Sequence, residues 1–249
     1  MKNLKALLFL FISIVVVGCN ISEDCIKSSG AITTKSFAID AIINNIYVFP
    51  GVGLVLTDGP EQSITVTAGE NFIDDVSVTV EGNSLMLKDN SGCNLTRAYG
   101  QVTVNVTAPD IVEIISNTEQ TIRSNGVLTY PLLRLYSLDI YDGVGSGDFV
   151  MDIQNNGQLV VQSNHVSAFY ITGHTKELLL NFYNGNGRFE GRNFVADSIK
   201  LFHRGANDMT IHPIKLLKGD IYSTGNVIST THPETVEVEE HYSGRLIFE

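Results

Sequence analysis

The chain has 249 residues, with 27 acidic side chains against 16 basic ones and a formal net charge of −11. That balance argues against nucleic acid and anionic lipid as partners, although acidity by itself is commonly a matter of solubility. The absence of Trp, beside nine Tyr and twelve Phe, weakens the case for a Trp-platform sugar site, though Tyr can also stack on a pyranose.

The first predicted element is an export signal over residues 1–18. Lys2 and Lys5 make a basic start, and Ala6 to Val17 is apolar apart from Ser13. As a helix this stretch would reach about 18 Å, short of the roughly 30 Å of hydrocarbon a spanning segment must cross, so it reads as a signal. Val16-Val17-Gly18-Cys19 resembles the lipobox of bacterial lipoproteins, where cleavage precedes the Cys and its thiol takes a diacylglycerol. Cys19 is thus the expected lipid attachment point, and the membrane a partner through several acyl chains, since one chain binds only marginally. An ordinary cleaved signal with a chance Cys is the alternative. Loss of Lys2 and Lys5 takes the net charge from −11 to −13. The expected location is the cell envelope, at the outer membrane, with periplasmic and surface faces both open. An oxidising envelope allows Cys25 and Cys93 to pair, which would contribute about 3 to 4.5 kcal/mol by closing a long loop. Two free thiols are the alternative.

Residues 19–36 are rich in Ser, Thr, Lys and Gly and read as a tether. A single domain is expected over 37–249, less regular over 37–123 and repetitive over 124–249. In the first part, runs such as Ile46-Tyr47-Val48, Leu54-Val55-Leu56, Ile64-Thr65-Val66-Thr67, Val76-Ser77-Val78-Thr79-Val80, Leu85-Met86-Leu87 and Val102-Thr103-Val104-Asn105-Val106 have the period of two that marks strands. Asp58-Gly59-Pro60, Glu81-Gly82-Asn83 and Ala108-Pro109-Asp110 read as turns between them. No helical period follows residue 20, so the fold class is all-β.

In the second part, apolar starts at Leu133, Leu159, Leu178, Ile199, Leu217 and Val236 recur in steps of 26, 19, 21, 18 and 19. Phe149, Phe169, Phe189 and Met209 lie 20 apart, each two residues after a small or polar one. A period near 20 is what a parallel β-helix or β-solenoid needs, because one coil cannot close a core alone. Phe149, Phe169 and Phe189 are then expected to stack in the core. A β-sandwich with coincidental spacing is the competing fold.

Val52-Gly53-Leu54-Val55-Leu56-Thr57-Asp58-Gly59 and Ala108-Pro109-Asp110-Ile111, with Gly219-Asp220-Ile221-Tyr222, Gly225-Asn226-Val227 and Ser243-Gly244-Arg245-Leu246 in the tail, resemble the putative auto-transporter adhesin head GIN domain family. The likeness covers nearly all of the chain after the signal. It implies a right-handed parallel β-helix or related β-solenoid, an envelope lipoprotein of Bacteroidetes type, and cysteines at the positions of Cys25 and Cys93. It carries over no established activity.

Polysaccharide-cleaving β-helices make catalysis the rival to test, through paired carboxylates. Asp139, Asp142, Asp148 and Asp152 cluster in the widest repeat, but Asp and Gly are also what turns require. His212-Pro213 and His232-Pro233, 20 apart, read as a repeated turn and not as metal ligands. Glu234, Glu237, Glu239 and Glu240 are expected to guard the last strand against edge-to-edge stacking. The residues ask for no cofactor, metal or catalytic group. The expected function is a non-catalytic, lipid-anchored surface for adhesion or for binding a glycan or an envelope protein. A carbohydrate-active enzyme working at the Asp142–Asp152 loop, and a structural envelope-assembly component, are the alternatives.

Overall fold

The computed structural model describes residues 28–92, 100–139 and 145–249. Cys19, Cys25, Cys93 and Asp142 lie outside the described residues, and with them the expected lipid attachment, the disulfide and one member of the Asp cluster.

Every regular element among the described residues is a strand apart from one 3-10 turn over Ile73–Asp75. Nine strands occupy the first part: β1 (Ile32–Phe37), β2 (Asn45–Val48), β3 (Val52–Asp58), β4 (Ser63–Gly69), β5 (Val76–Glu81), β6 (Ser84–Asp89), β7 (Val102–Ala108), β8 (Glu113–Ser116) and β9 (Ile122–Leu128). Nine more follow: β10 (Leu132–Ser137), β11 (Phe149–Gln154), β12 (Gln158–Ser163), β13 (Ala168–Phe182), β14 (Arg188–His203), β15 (Met209–Ile221), β16 (Val227–Ser229), β17 (Thr235–Glu240) and β18 (Leu246–Phe248). The β-branched runs read from the sequence coincide with β2 to β7, and the three predicted turns fall between strands. β1 lies partly within the segment read as a tether, so part of that segment belongs to the sheet.

All 18 strands of the described residues join one sheet. The expectation of a right-handed parallel β-helix or β-solenoid is corrected here. The sheet is mixed, since β1 pairs antiparallel with β4, β4 with β7 and β5 with β6, and it curls into a nearly closed, barrel-like layer. The physical reason lies in the first part of the chain, which lacks the period of 20. One antiparallel pair there is a hairpin, β5–β6, where Gly82 takes φ +66° in a two-residue turn between Glu81 and Ser84; the other two, β1–β4 and β4–β7, join strands distant in the chain. A β-sandwich of two separate sheets does not describe it either. Residue 123, where the less regular part is expected to give way to the repeats, lies inside β9, which pairs parallel with β11 through a register shift between Val150 and Asp152.

Where the period of 20 does occur, it sets the register of parallel pairs. Leu133 faces Leu159, Leu159 faces Leu178, Leu178 faces Ile199, Ile199 faces Leu217 and Leu217 faces Val236. Leu133, Leu159, Leu178, Ile199 and Leu217 are buried, whereas Val236 remains exposed on β17. A second ladder brings Phe149 opposite Phe169 and Phe169 opposite Phe189. The two ladders meet in the long strands β13, β14 and β15.

One apolar core runs from Ile43 to Val227 and includes Phe149, Phe169 and Phe189, all fully buried. The expected three-ring stack is only partly present: Phe189 packs edge-on against Phe194 at 6.4 Å. The core also contains a column of mixed polarity, in which Ser137 pairs with Ser163, Ser163 with Phe182 and Phe182 with His203. Ser137 satisfies its hydroxyl at the Gly145 carbonyl oxygen, 2.7 Å away. His203 has no hydrogen-bond partner of proper geometry, although the backbone of Asn207 and Gly225 lies close to its ring.

Candidate functional site

Because Phe149, Phe169 and Phe189 point inward, the residue after each must point outward. Val150, Tyr170 and Glu190 therefore form a cross-strand row on the outer face of β11, β13 and β14. They line an open groove of about 580 Å³ together with Ser124, Asp152 and Arg192.

Tyr170 is half-buried in that groove. The Arg188 guanidinium lies 5.8 Å from its ring centroid, donates a hydrogen bond to its hydroxyl at 2.8 Å and approaches Glu190 Oε1 at 3.6 Å. Arg192 is held from the other side, its Nη2 donating to Glu249 Oε1 at 2.9 Å. The groove thus offers an aromatic ring, carboxylate acceptors and guanidinium donors in one place. No single sign of charge dominates it, so it suits a ligand rich in hydroxyl groups better than a polyanion.

Of the Asp cluster, Asp139, Asp148 and Asp152 are described, and they occupy separate settings. Asp148 accepts the backbone N–H of Ala168 at 3.1 Å, the turn-capping role that Asp residues fill in loops. Asp139 is exposed, with its own N–H donating to the Asn164 side chain at 3.1 Å. Among these three, only Asp152 lines the groove.

The histidines also separate. His212-Pro213 lies inside β15, with Pro213 opposite Ala196 where the β14–β15 register shifts, so it is not the turn that its spacing predicts. A Pro is tolerated there because an irregular ladder does not need its missing N–H. His212 Nδ1 sits 3.1 Å from the Arg192 carbonyl oxygen, while His232 occupies the connection after β16 and stacks on Phe248 at 4.4 Å.

The family model for "Putative auto-transporter adhesin, head GIN domain" matches residues 44–233. The chain belongs to this family. Among solved structures, this head GIN chain resembles a putative adhesin from Bacteroides fragilis, with a TM-score of 0.78 and 17% identity over 90% of this chain and 100% of that one. A putative adhesin from Parabacteroides distasonis follows at TM-score 0.65 and 15% identity, covering 89% of this chain and 99% of that one. A putative lipid binding protein from the same organism has TM-score 0.58 and 12% identity, covering 89% and 100%. At such identities the likeness is one of fold. Comparison with curated proteins gives no match.

Sequence reasoning missed the head GIN groove itself. Its one available signal was that a Val, a Tyr and a Glu follow the three repeated Phe residues at the same offset of 20. A second grouping escaped notice as well: His241 comes to lie beside Asp220 and Glu239 at the far end of the ladder.

Proposed function

We propose that this chain is a non-catalytic, lipid-anchored protein of the outer membrane that mediates adhesion by binding a glycan in the Tyr170 groove. The observation that carries the reading is the groove's composition: a half-buried Tyr lines it together with Asp152, Glu190 and Arg192, and the Tyr hydroxyl accepts a hydrogen bond from Arg188 beside it. Sugars present an apolar C–H face for an aromatic ring and hydroxyls that both donate and accept. Membership of a family described as adhesin supports it, and the lipobox at Cys19 supports the anchor. The lipid-binding description of one structural neighbour suggests a rival ligand, but an open groove bordered by charged side chains fits hydroxyl groups better than an acyl chain.

The test is binding of the purified full chain to immobilised envelope and host glycans, compared with Tyr170→Ala. A loss of at least about tenfold in affinity, corresponding to about 1.4 kcal/mol, is expected. Glycan binding untouched by Tyr170→Ala would displace the site, and turnover of any bound glycan would favour the enzyme reading. Digestion by proteinase added to intact cells is expected for a surface adhesin, whereas protection until lysis would place the chain in the periplasm.

A further inference from the structure

A row of aromatic rings crosses the ends of β13, β14 and β15. Tyr183 meets Phe202 at 5.9 Å, Phe202 meets Tyr222 at 5.5 Å, and Tyr222 meets His241 at 4.0 Å with the two rings only 4° from parallel. The stack on Tyr222 sets the plane of the imidazole. Its direction within that plane is set by Asp220, whose Oδ1 lies 2.8 Å from Nε2. Glu239 Oε2 lies 3.7 Å from the same nitrogen.

Asp220 and Glu239 are direct partners in the β15–β17 ladder, and His241 follows Glu239 by two residues on the same face. Two carboxylates directly opposite each other repel, and a positive charge between them offsets this, supplied by the His241 ring when protonated or by a bound metal ion. Lys218, two residues before Asp220 on β15, pairs with Glu237 at 3.0 Å. Donor atoms of Asp220, Glu239 and His241 all lie within 4.8 Å of one another. A tetrahedral ion with bonds near 2.0 to 2.2 Å holds its ligand atoms about 3.3 Å apart. The observed 2.8 and 3.7 Å bracket that separation, so side-chain rotation suffices to close the site.

We propose that Asp220, Glu239 and His241 bind a divalent transition-metal ion of the zinc class. An imidazole nitrogen with two carboxylates suits zinc or copper, whereas calcium takes six to eight oxygens that this cluster does not supply. Three protein ligands leave a fourth position open to water or to a donor group from a partner. Tyr222 is a positioning residue that holds the imidazole in its plane. The site is independent of the Tyr170 groove.

The experiment is calorimetric titration of the full chain with zinc chloride, alongside His241→Ala, Glu239→Gln and Tyr222→Leu, with cobalt(II) absorption as a spectroscopic readout. One equivalent of zinc is expected to bind the unmodified chain and to be lost in His241→Ala. Glu239→Gln, which keeps size and removes charge, is expected to weaken binding by at least about tenfold, and Tyr222→Leu by a similar factor, as for other groups that orient a metal ligand. Tetrahedral cobalt bands are expected in the unmodified chain and absent in His241→Ala. Failure of the unmodified chain to bind zinc would overturn the proposal. So would zinc binding that survives both His241→Ala and Glu239→Gln, since the ion would then belong to other histidines or to the cysteines.

Discussion

Phe149 and Phe169 lie one repeat apart and stack face to face in the core, with ring centroids 4.7 Å apart and an interplanar angle of 10°. Phe169 also receives the edge of Phe182 at 5.8 Å, which makes it the ring through which the two ladders pack together. Both stacked and edge-on arrangements are favourable geometries for aromatic pairs. Phe169→Ala is expected to cost about 3 to 5 kcal/mol, because it removes a fully buried ring and leaves a cavity between β11 and β14. Thermal unfolding should shift by roughly 6 to 20 °C. A shift of only a degree or two would mean that the site collapses around the missing ring.

Gly219 sits at φ +142° opposite Leu201 in the β14–β15 ladder, and a Cβ there would overlap the Leu201 carbonyl oxygen. Gly219→Ala therefore combines backbone strain with a clash against backbone that cannot swing away. The expected loss is about 1 to 3 kcal/mol from strain alone, with displacement of the ladder in addition. Gly82, at φ +66° in the β5–β6 turn, has open space around its Cα. Gly82→Ala should cost only the left-handed penalty of about 1 to 2 kcal/mol. Urea denaturation of the two variants measures the difference, and equal losses would contradict it.

His203 is fully buried, and burial lowers the pKa of its imidazole below the usual 6.5 despite the opposing effects of the Asn207 backbone and Asp208. Below about pH 6.5 the unfolded chain takes up a proton at this residue that the folded chain resists. Stability conferred by the neutral ring is therefore complete above that pH. It falls as the pH drops, until the folded pKa is passed. The urea midpoint should decline between pH 7 and pH 5 in the unmodified chain, and His203→Leu should flatten the decline. An identical pH profile in His203→Leu would assign the effect to other groups.

The proposed anchor at Cys19 makes a prediction of its own. Cys19→Ala should move the chain from the membrane fraction to the soluble fraction, because the acyl chains that hold it can no longer be attached. Metabolic labelling with a radioactive fatty acid should mark the unmodified chain and not the variant. Retention of the variant in the membrane fraction would require a different anchor.

The sequence by itself determined the strands and much of their register. Alternation of Val, Ile and Thr with polar residues places β2 to β7, since successive side chains of a strand face opposite sides. The steps from Leu133 to Leu217 foretell which residues pair, because each must reach the same core from the next parallel strand. Sheet closure was decided only by tertiary structure. No spacing couples Phe37 to Ile64, or Ile64 to Val106, yet those antiparallel pairs make the sheet mixed and turn a simple helical stack into a nearly closed layer. The sites were decided there as well. Tyr170 acquires Arg188 from the next strand, and Asp220 acquires Glu239 and His241 from β17 and the residues after it, so neither grouping is contiguous in the chain. Hydrophobic periodicity reports which face a residue occupies. Which polar side chains converge on the outer face depends on lateral register, which the sequence records only in the offset of 20 that carries Val150, Tyr170 and Glu190 beside the Phe repeat.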